Sequence, residues 1–412
     1  MKIRTLCERQ GVVALLGFWL SIASHNAYAQ VPQVKEPPTQ TCVPTSEWLV
    51  PGSNTVLSMP SLVAKMAASK VVLLGEFHDN ADHHRWQLYT LAAFYAVRPD
   101  LSIGLEMLPR AAQPVLDQWV ANQLSESEFL TKVRWSEYWS FDPALYMPLF
   151  HFARINNIPM HALNVNKKLI RKVGEQGWAA IPKAEREGVS DPAAAGEEYL
   201  KLLAGSFQMH GKPHQDKVPN DEALRKNPAF MRFVESQQLW DRAMAQSMAE
   251  VALRKNPPLV IGIMGSGHMM NDFGVPQQLN AMGIKDTAVL IPWDNQFDCA
   301  ELTAKFADAV FGLPETKEPQ DEMPRLGVAI EQNEAGVSVM SVVNDSIAQR
   351  AGIEAGDLIV DVAGLAKPRV GDLVNTVQHM APGTWLPISV KRAGKPLDVI
   401  AKFPRKPSTS GM

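Results

Sequence analysis

Five short apolar runs, separated by segments with helical spacing, constrain the fold of this chain most strongly. Each run has the length of a buried strand, and the segments between them repeat apolar residues every three or four positions. Strands that alternate with helices predict an α/β fold, with a mostly parallel sheet covered by helices. The predicted strands are VVLLGE (71–76), LSIGLEM (101–107), IPMHALN (158–164), PLVIGIMGSGHM (258–269) and TAVLIPW (287–293).

Two of these runs end in the same motif. Gly-x-x-His closes the first run at residues 75–78 and the fourth at residues 265–268, and Glu106 lies near the end of the second run. Ligands bind beyond the carboxyl ends of strands in such sheets. If these strands are neighbours, two imidazoles and one or two carboxylates face one cleft, a set that suits zinc, manganese or iron better than calcium. The predicted metal ligands are His78, Glu106, His268 and His84.

The segment after the first motif begins a helix, with Asp79 or Asn80 as its N-cap. His84 shares a helical face with later apolar residues and should look towards the sheet, whereas one residue of the His83–His84 pair is expected to point outward. A structural interpretation remains an alternative: Glu76 caps this helix, and His78 is a buried structural histidine.

The first 29 residues are typical of a secretory signal peptide: a basic start, an apolar stretch and an Ala-Tyr-Ala cleavage site. The rest of the chain has no further unbroken apolar run of membrane-spanning length. The formal charge is −3, and −5 without the signal, so no basic excess indicates nucleic acid or lipid as a partner. We therefore expect a soluble periplasmic protein with no integral membrane segment after cleavage.

Two cysteines, Cys42 and Cys299, remain after the signal is removed. In an oxidising compartment they are expected to form a disulfide that ties the start of the large domain to its end. The alternative is a pair of free structural thiols.

Four other residues, Arg110, His210, His214 and Tyr199, are candidate ligand-binding residues, each with a structural alternative. Arg110 follows Glu106 closely and either pairs with a carboxylate or holds an anionic ligand. His210 and His214 lie in a polar stretch with glycine and proline, which is either a surface loop or a loop that binds a metal or haem. Tyr199 precedes this loop and is a weaker candidate of the same kind.

Five blocks in order resemble the ChaN-like haem-binding uptake domain of the Tiki superfamily. They are LGEFHDNADHH, IGLEMLPR with the following Gln113, WSEYW to DPALYMPL, QQLWDRAMA and GSGHMMNDFGVPQQL, within roughly residues 48–300. The resemblance implies an exported protein of haem or iron acquisition, with haem at a cleft or between two protomers. His210, His214 and Tyr199 are candidate haem ligands by their position in the chain only.

The C-terminal stretch resembles a PDZ domain of the kind found in bacterial proteases. MPRLGVAI supplies a Leu-Gly loop before a strand, and VVNDSIAQRAGIEAGDLIVDVAGLAK matches the following run. Such a domain is a small α+β fold that binds a protein C-terminus or an extended peptide beside a strand edge. The predicted peptide-binding residues are Leu326, Gly327 and Val328.

The predicted organisation is a signal peptide (1–29), a proline-rich leader (30–47), a ChaN-like domain (48–312), a linker (313–324), a PDZ domain (325–404) and a tail (405–412). Two functions remain open. The first is haem or iron binding at the strand tips, with a ligand-bridged homodimer and a PDZ-bound partner. The second is a metal-dependent hydrolase, in which a metal held by His78, His268 and Glu106 activates water and Glu76 is the general base.

Overall fold

The computed structural model describes residues 42–210, 224–294, 297–314, 324–333 and 335–405. The predicted signal peptide, the leader before Cys42, His214 and the side chain of His210 lie outside the described residues.

The larger sheet contains eight strands among the described residues, in the order β2-β1-β8-β7-β3-β6-β4-β5. The six from β8 to β5 run parallel, whereas β1 pairs antiparallel with both β8 and β2. The predicted α/β class is thereby confirmed. The strands are β1 Trp48–Leu49, β2 Val56–Leu57, β3 Val71–Leu74, β4 Leu101–Pro109, β5 Met160–Asn164, β6 Leu259–Ile263, β7 Thr287–Trp293 and β8 Ala309–Gly312.

Helices cover both faces of this sheet because its central strands are apolar on both sides. Val72 and Leu74 pack in one core cluster, whereas Val71 and Leu73 pack in another on the opposite face. This two-sided burial is typical of parallel sheets. The helices are α1 Met59–Met66, α2 Ala81–Val97, α3 Gln113–Val120, α4 Glu126–Lys132, α5 Trp135–Tyr138, α6 Pro143–Ile155, α7 Lys167–Gln176, α8 Glu197–His210, α9 Pro228–Ala252 and α10 Val275–Ala281.

The strand order brings the two Gly-x-x-His motifs together. Strand β6 lies between β3 and β4, with Ile263 aligned to both Leu74 and Leu105. The residues that follow these three positions, Gly75, Met264 and Glu106, therefore lie side by side. Strand β4 is longer than predicted and continues to Pro109, whereas β6 ends at Ile263 and a 3₁₀ turn at Ser266–His268 follows.

A second, antiparallel sheet forms the C-terminal region. Its strands follow the order β14-β13-β11-β10-β9, and β12 pairs with β11. Apolar side chains from the sheet and its two helices form a separate core. The elements are β9 Val328–Asn333, β10 Gly336–Val342, α11 Ile347–Ala351, β11 Leu358–Val362, β12 Leu365–Ala366, α12 Val370–Gln378, β13 Trp385–Arg392 and β14 Lys395–Lys402.

A disulfide joins Cys42 to Cys299, as predicted, across 257 positions of sequence. Beside it, Val43 is buried and Thr45 forms a bridge with Gly312, so the end of the leader packs on the larger domain. Within the described ranges, no helix has the length and apolarity needed to cross a bilayer.

Candidate functional site at the strand tips

Backbone hydrogen bonds fix the two strand tips to each other. The amide of Ser266 donates to the carbonyl of Glu76 at 2.9 Å, and the amide of Gly265 donates to Glu106 Oε2 at 2.7 Å. Both carboxylates are buried. The second motif therefore lies directly against the first motif and against Glu106.

The imidazole of His78 is held by a buried carboxylate. Its Nδ1 lies 2.7 Å from Glu76 Oε1, so Nδ1 carries the proton that Glu76 accepts. Within the described chain, no hydrogen bond engages Nε2 of this ring. The rings of Trp139 and Phe141 lie 4.7 Å and 4.9 Å from it, centroid to centroid. The His78 side chain is 27% exposed, so part of this ring is accessible to solvent beside the two aromatic rings.

The imidazole of His268 has the same arrangement with a different carboxylate. Its Nδ1 lies 2.6 Å from Asp241 Oδ1, and its Nε2 lies 3.4 Å from Glu106 Oε1. The hydroxyl of Tyr199 donates to the other oxygen of Asp241 at 2.7 Å. Both motif histidines thus face a buried carboxylate through Nδ1.

Opposite charges control the ionisation of this cluster. Burial raises the pKa of Glu76, but hydrogen bonds from His78 and His84 outweigh it and lower the pKa to about 2. Burial lowers the pKa of His268, whereas the charge of Glu106 and the hydrogen bond to Asp241 raise it to about 10. For His78, burial also lowers the pKa. The hydrogen bond with Glu76 and the charge of Glu106 outweigh burial, so the pKa of His78 is raised. At neutral pH the cluster therefore contains the buried carboxylate anions of Glu76 and Glu106 and the buried imidazolium of His268.

A small residue is required where the second motif passes the first. A Cβ added to Gly265 would lie 2.9 Å from Cε1 of His78 and 3.7 Å from Glu106 Oε2. By contrast, a Cβ on Gly267 would meet no atom within 4 Å. The first glycine of this motif therefore makes room for the His78 ring.

The donor set fits a metal or the iron of a metal-bearing group. Glu76, His78 and Glu106 each offer one ligand atom, and these atoms lie within 4.8 Å of one another. Glu106 Oε1 is buried and accepts no hydrogen bond. Imidazole nitrogens with carboxylate oxygens are typical ligands of zinc, manganese and iron.

His83 and His84 are both buried, so the expectation that one points outward was wrong. The amide of Phe77 donates to His83 Nδ1 at 2.9 Å, and His83 Nε2 contacts Asp294 at 2.9 Å. For His84, Nε2 lies 3.1 Å from the carbonyl of His78 and Nδ1 lies 2.8 Å from Glu76 Oε2. Both nitrogens of His84 therefore face protein oxygens. Asn80 caps α2, as one of the two predicted candidates.

The remaining candidates lie apart from the cluster or outside the described residues. Arg110 donates to Ser247 Oγ at 2.8 Å and to the carbonyl of Ala243 at 2.7 Å, so it ties β4 to α9. Tyr199 is buried and contacts Asp241, the partner of His268. The structure does not bring Arg110 to His78.

From the sequence, Asp241 lies beside an apolar stripe of α9 and either reaches the cleft or caps a neighbour, whereas no role is indicated for Trp139. The structure gives Asp241 the first of these roles: it is fully buried, and a buried carboxylate requires a partner, here His268. Trp139 follows the short helix α5 and has no periodic context.

A family model described as haem-binding uptake, Tiki superfamily, ChaN matches residues 62–279. The chain belongs to this family. The match spans β3, β4 and β6, and therefore both motif histidines of the ChaN-like domain. A PDZ domain model matches residues 324–402.

Solved structures similar to this chain include a ChaN protein, a serine endoprotease and an isolated PDZ domain. One, "Cofacial heme binding to ChaN of Campylobacter jejuni", is 19% identical, with a TM-score of 0.48 over 64% of this chain and 95% of that chain. The serine endoprotease from Yersinia pestis is 27% identical, with a TM-score of 0.18 over 20% of this chain and 29% of that chain. An HtrA3 PDZ domain bound to a phage-derived ligand (FGRWV) is 25% identical, with a TM-score of 0.18 over 19% and 82% of the two chains. No curated protein matches the sequence.

The PDZ domain contains a groove of about 400 Å³ between β9 and α12. Leu326, Gly327 and Val328, the three predicted peptide-binding residues, line one side of it. Gly327 has φ +83°, and a Cβ there would lie 2.3 Å from Cβ of Ser346, so this loop requires glycine. Other lining residues are Ile330, Val343, Leu373, Val374, Val377 and Gln378.

Proposed function

We propose that this chain is an exported haem- or iron-handling protein that binds its ligand at the strand-tip cleft and a protein partner at its PDZ domain. One observation carries the proposal. Glu76 engages Nδ1 of His78, which leaves Nε2 as a ligand atom at a cleft edged by Trp139 and Phe141. The family description, haem-binding uptake, supports the same assignment.

The residues at the cleft suit haem in three respects. Aromatic rings offer flat apolar surfaces to a macrocycle. Hydrogen bonding of Nδ1 to a carboxylate fixes the ring of a metal-binding histidine and increases its basicity. A bound haem would supply an iron that an imidazole nitrogen, here of His78, can ligate.

Each member of the cluster then has a separate task. His78 binds the iron, and Glu76 holds the His78 ring in one tautomer. His84 and the Tyr146 hydroxyl, which donates to Glu76 Oε1 at 3.2 Å, hold Glu76 in turn. His268 and Glu106 form the floor of the cleft. We therefore assign His84 to positioning rather than to iron binding.

A haemin titration followed at the Soret band tests the proposal. We expect saturable binding to the purified chain and at least about tenfold weaker binding by His78→Ala, a difference of ~1.4 kcal/mol. His151→Ala is the matched control, because that half-exposed histidine pairs with Glu126 away from the cleft. Absence of saturable binding, or equal losses in both variants, would contradict the proposal.

Haem between two protomers is a further expectation for this cleft. Light scattering after size-exclusion chromatography would report it as a doubling of mass on haemin addition. An unchanged mass at saturating haemin would place the ligand within one protomer.

Export is supported by the disulfide, because such bonds persist in oxidising compartments. We expect protein recovered from the periplasm of a two-membrane host to begin at Gln30. Intact mass spectrometry would detect this cleavage, and an uncleaved chain retained in the cytosol would contradict it.

The PDZ groove supports binding of a protein C-terminus with an apolar last residue. Its walls are apolar, and backbone amides near Gly327 are suited to a terminal carboxylate. Binding of a peptide with a free C-terminus, but not of its amidated form, is the expected result in fluorescence polarisation.

A metal-dependent hydrolase is the second candidate, and the donor set of Glu76, His78 and Glu106 favours it. A bound divalent metal would supply Lewis-acid activation of water. The general-base role of Glu76 is opposed by its geometry, since both its oxygens face histidines, and by its low pKa. Chelator-sensitive peptide or ester cleavage by protein with bound metal would favour this function, and a metal-free, inert preparation would exclude it.

A further inference from the structure

The PDZ domain contacts the segment that carries the cleft aromatics. We call residues 135–142 the cleft segment; it comprises α5, Trp139, Phe141 and Asp142. Arg369 lies 2.9 Å from Glu137, and His379 lies 2.9 Å from Asp142, nitrogen to oxygen. These two contacts join the segment to residues just before and just after α12.

The same segment covers the proposed iron ligand. Trp139 and Phe141 lie between the two contacts in sequence, and both rings pack against the ring of His78. Trp139 is 5% exposed, so its indole is buried in this contact. A movement of the cleft segment would therefore change access to His78.

Helix α12 lies between this contact and the peptide groove. Leu373 and Val377, one turn apart, face the groove. Gly371 faces the cleft segment: a Cβ on it would lie 3.5 Å from the carbonyl of Ser136. One short helix thus forms a wall of the peptide site and a support of the cleft segment.

We infer that the PDZ groove regulates the strand-tip cleft: a peptide in the groove releases the cleft segment and opens access to His78. Peptide insertion between β9 and α12 displaces α12. A tilt of the helix moves its two ends in opposite directions, so at least one of the two contacts, with Glu137 or with Asp142, lengthens. A translation towards the segment has little room, because a Cβ added to Gly371 would already lie 3.5 Å from the carbonyl oxygen of Ser136.

The regulated ligand is the one assigned by the proposed function, on which this part of the inference rests. Exposed ion pairs are individually weak, so the coupling is modest. We expect about three- to tenfold faster haemin association with peptide present. If the peptide raises the affinity for haemin, thermodynamic linkage requires that haemin raise the affinity for the peptide by the same factor.

Hydrogen–deuterium exchange of residues 135–142 in the full chain tests the inference without any cleft ligand. The probe is the tightest binder from a set of decapeptides ending in Val, Leu, Phe or Ala, with its amidated form as control. We expect faster exchange in the cleft segment with the free-acid peptide, and the same increase without peptide in the double variant Arg369→Gln/His379→Gln. Haemin association rates should rise in parallel.

Lys172→Gln is the matched control, because it removes an exposed ion pair, with Glu185, on α7. Exchange in residues 135–142 that is equal in the double variant and in Lys172→Gln would overturn the inference, whether or not a peptide in the set binds. Faster exchange without any haemin binding would retain the inference and reject the proposed function. Haemin binding with unchanged exchange in residues 135–142 would retain the proposed function and reject the inference.

Discussion

Asp241→Asn isolates the buried charge opposite His268. Asp241 is fully buried, with Oδ1 at 2.6 Å from His268 Nδ1 and Oδ2 bonded to the Tyr199 hydroxyl. Asparagine preserves the volume and one acceptor oxygen, but it replaces the other oxygen by an NH2 donor and removes the charge. The substitution therefore measures what one carboxylate contributes to holding a buried imidazolium.

The magnitude follows from the pKa of His268, which burial lowers and the charges of Glu106 and Asp241 raise from 6.5 to about 10. This rise corresponds to at most ~5 kcal/mol of folding free energy. Because the folded pKa is raised, the contribution is complete below pH 6.5 and is lost as pH rises to 10. Asp241 is one of two carboxylates, so we expect the variant to lose ~2–4 kcal/mol at pH 6 and much less above pH 10.

Urea unfolding of metal-free protein with its disulfide intact, followed by fluorescence at both pH values, measures this loss. The matched control is Glu126→Gln, which removes the exposed His151–Glu126 contact at 2.9 Å and should cost less than ~1 kcal/mol. An equal loss for Asp241→Asn at both pH values, or one no larger than the control at pH 6, would refute the reasoning.

Two further substitutions test other parts of the structure. Gly265→Ala should displace the His78 ring and weaken haemin binding at least about tenfold in a Soret titration, whereas Gly267→Ala, which meets no atom within 4 Å, should bind normally. Equal affinities would show that the His78 ring needs no such space. Cys42→Ser should lower the free energy of unfolding by ~2–5 kcal/mol, and an identical urea midpoint for reduced wild type and variant would identify the disulfide as the cause.

The convergence of the two motifs was predictable from sequence because it depends on local signals. Apolar runs ending in Gly-x-x-His indicate strand tips, and parallel strands present their tips at one edge. The sequence did not establish that these strands are neighbours. The structure does, because the order β3-β6-β4 places Glu106 next to Gly265.

The partners of the histidines were not predictable, because they come from distant elements. Asp241 reaches His268 only through the way α9 crosses the sheet, and Asp294 reaches His83 across 211 positions of sequence. The sequence around a charged residue on an apolar helix does not indicate which distant residue it pairs with. The contact of Arg369 with Glu137 likewise depends on how two domains pack, which no periodicity encodes.

The direct test of the central claim is nitrogen-15 NMR of the histidine rings, with gallium protoporphyrin as a diamagnetic substitute for haem. We expect Nε2 of His78 to shift on binding while its Nδ1 keeps the proton bonded to Glu76. An unaltered His78 ring, with the shift on another of the ten histidines, would contradict the assignment of this cleft.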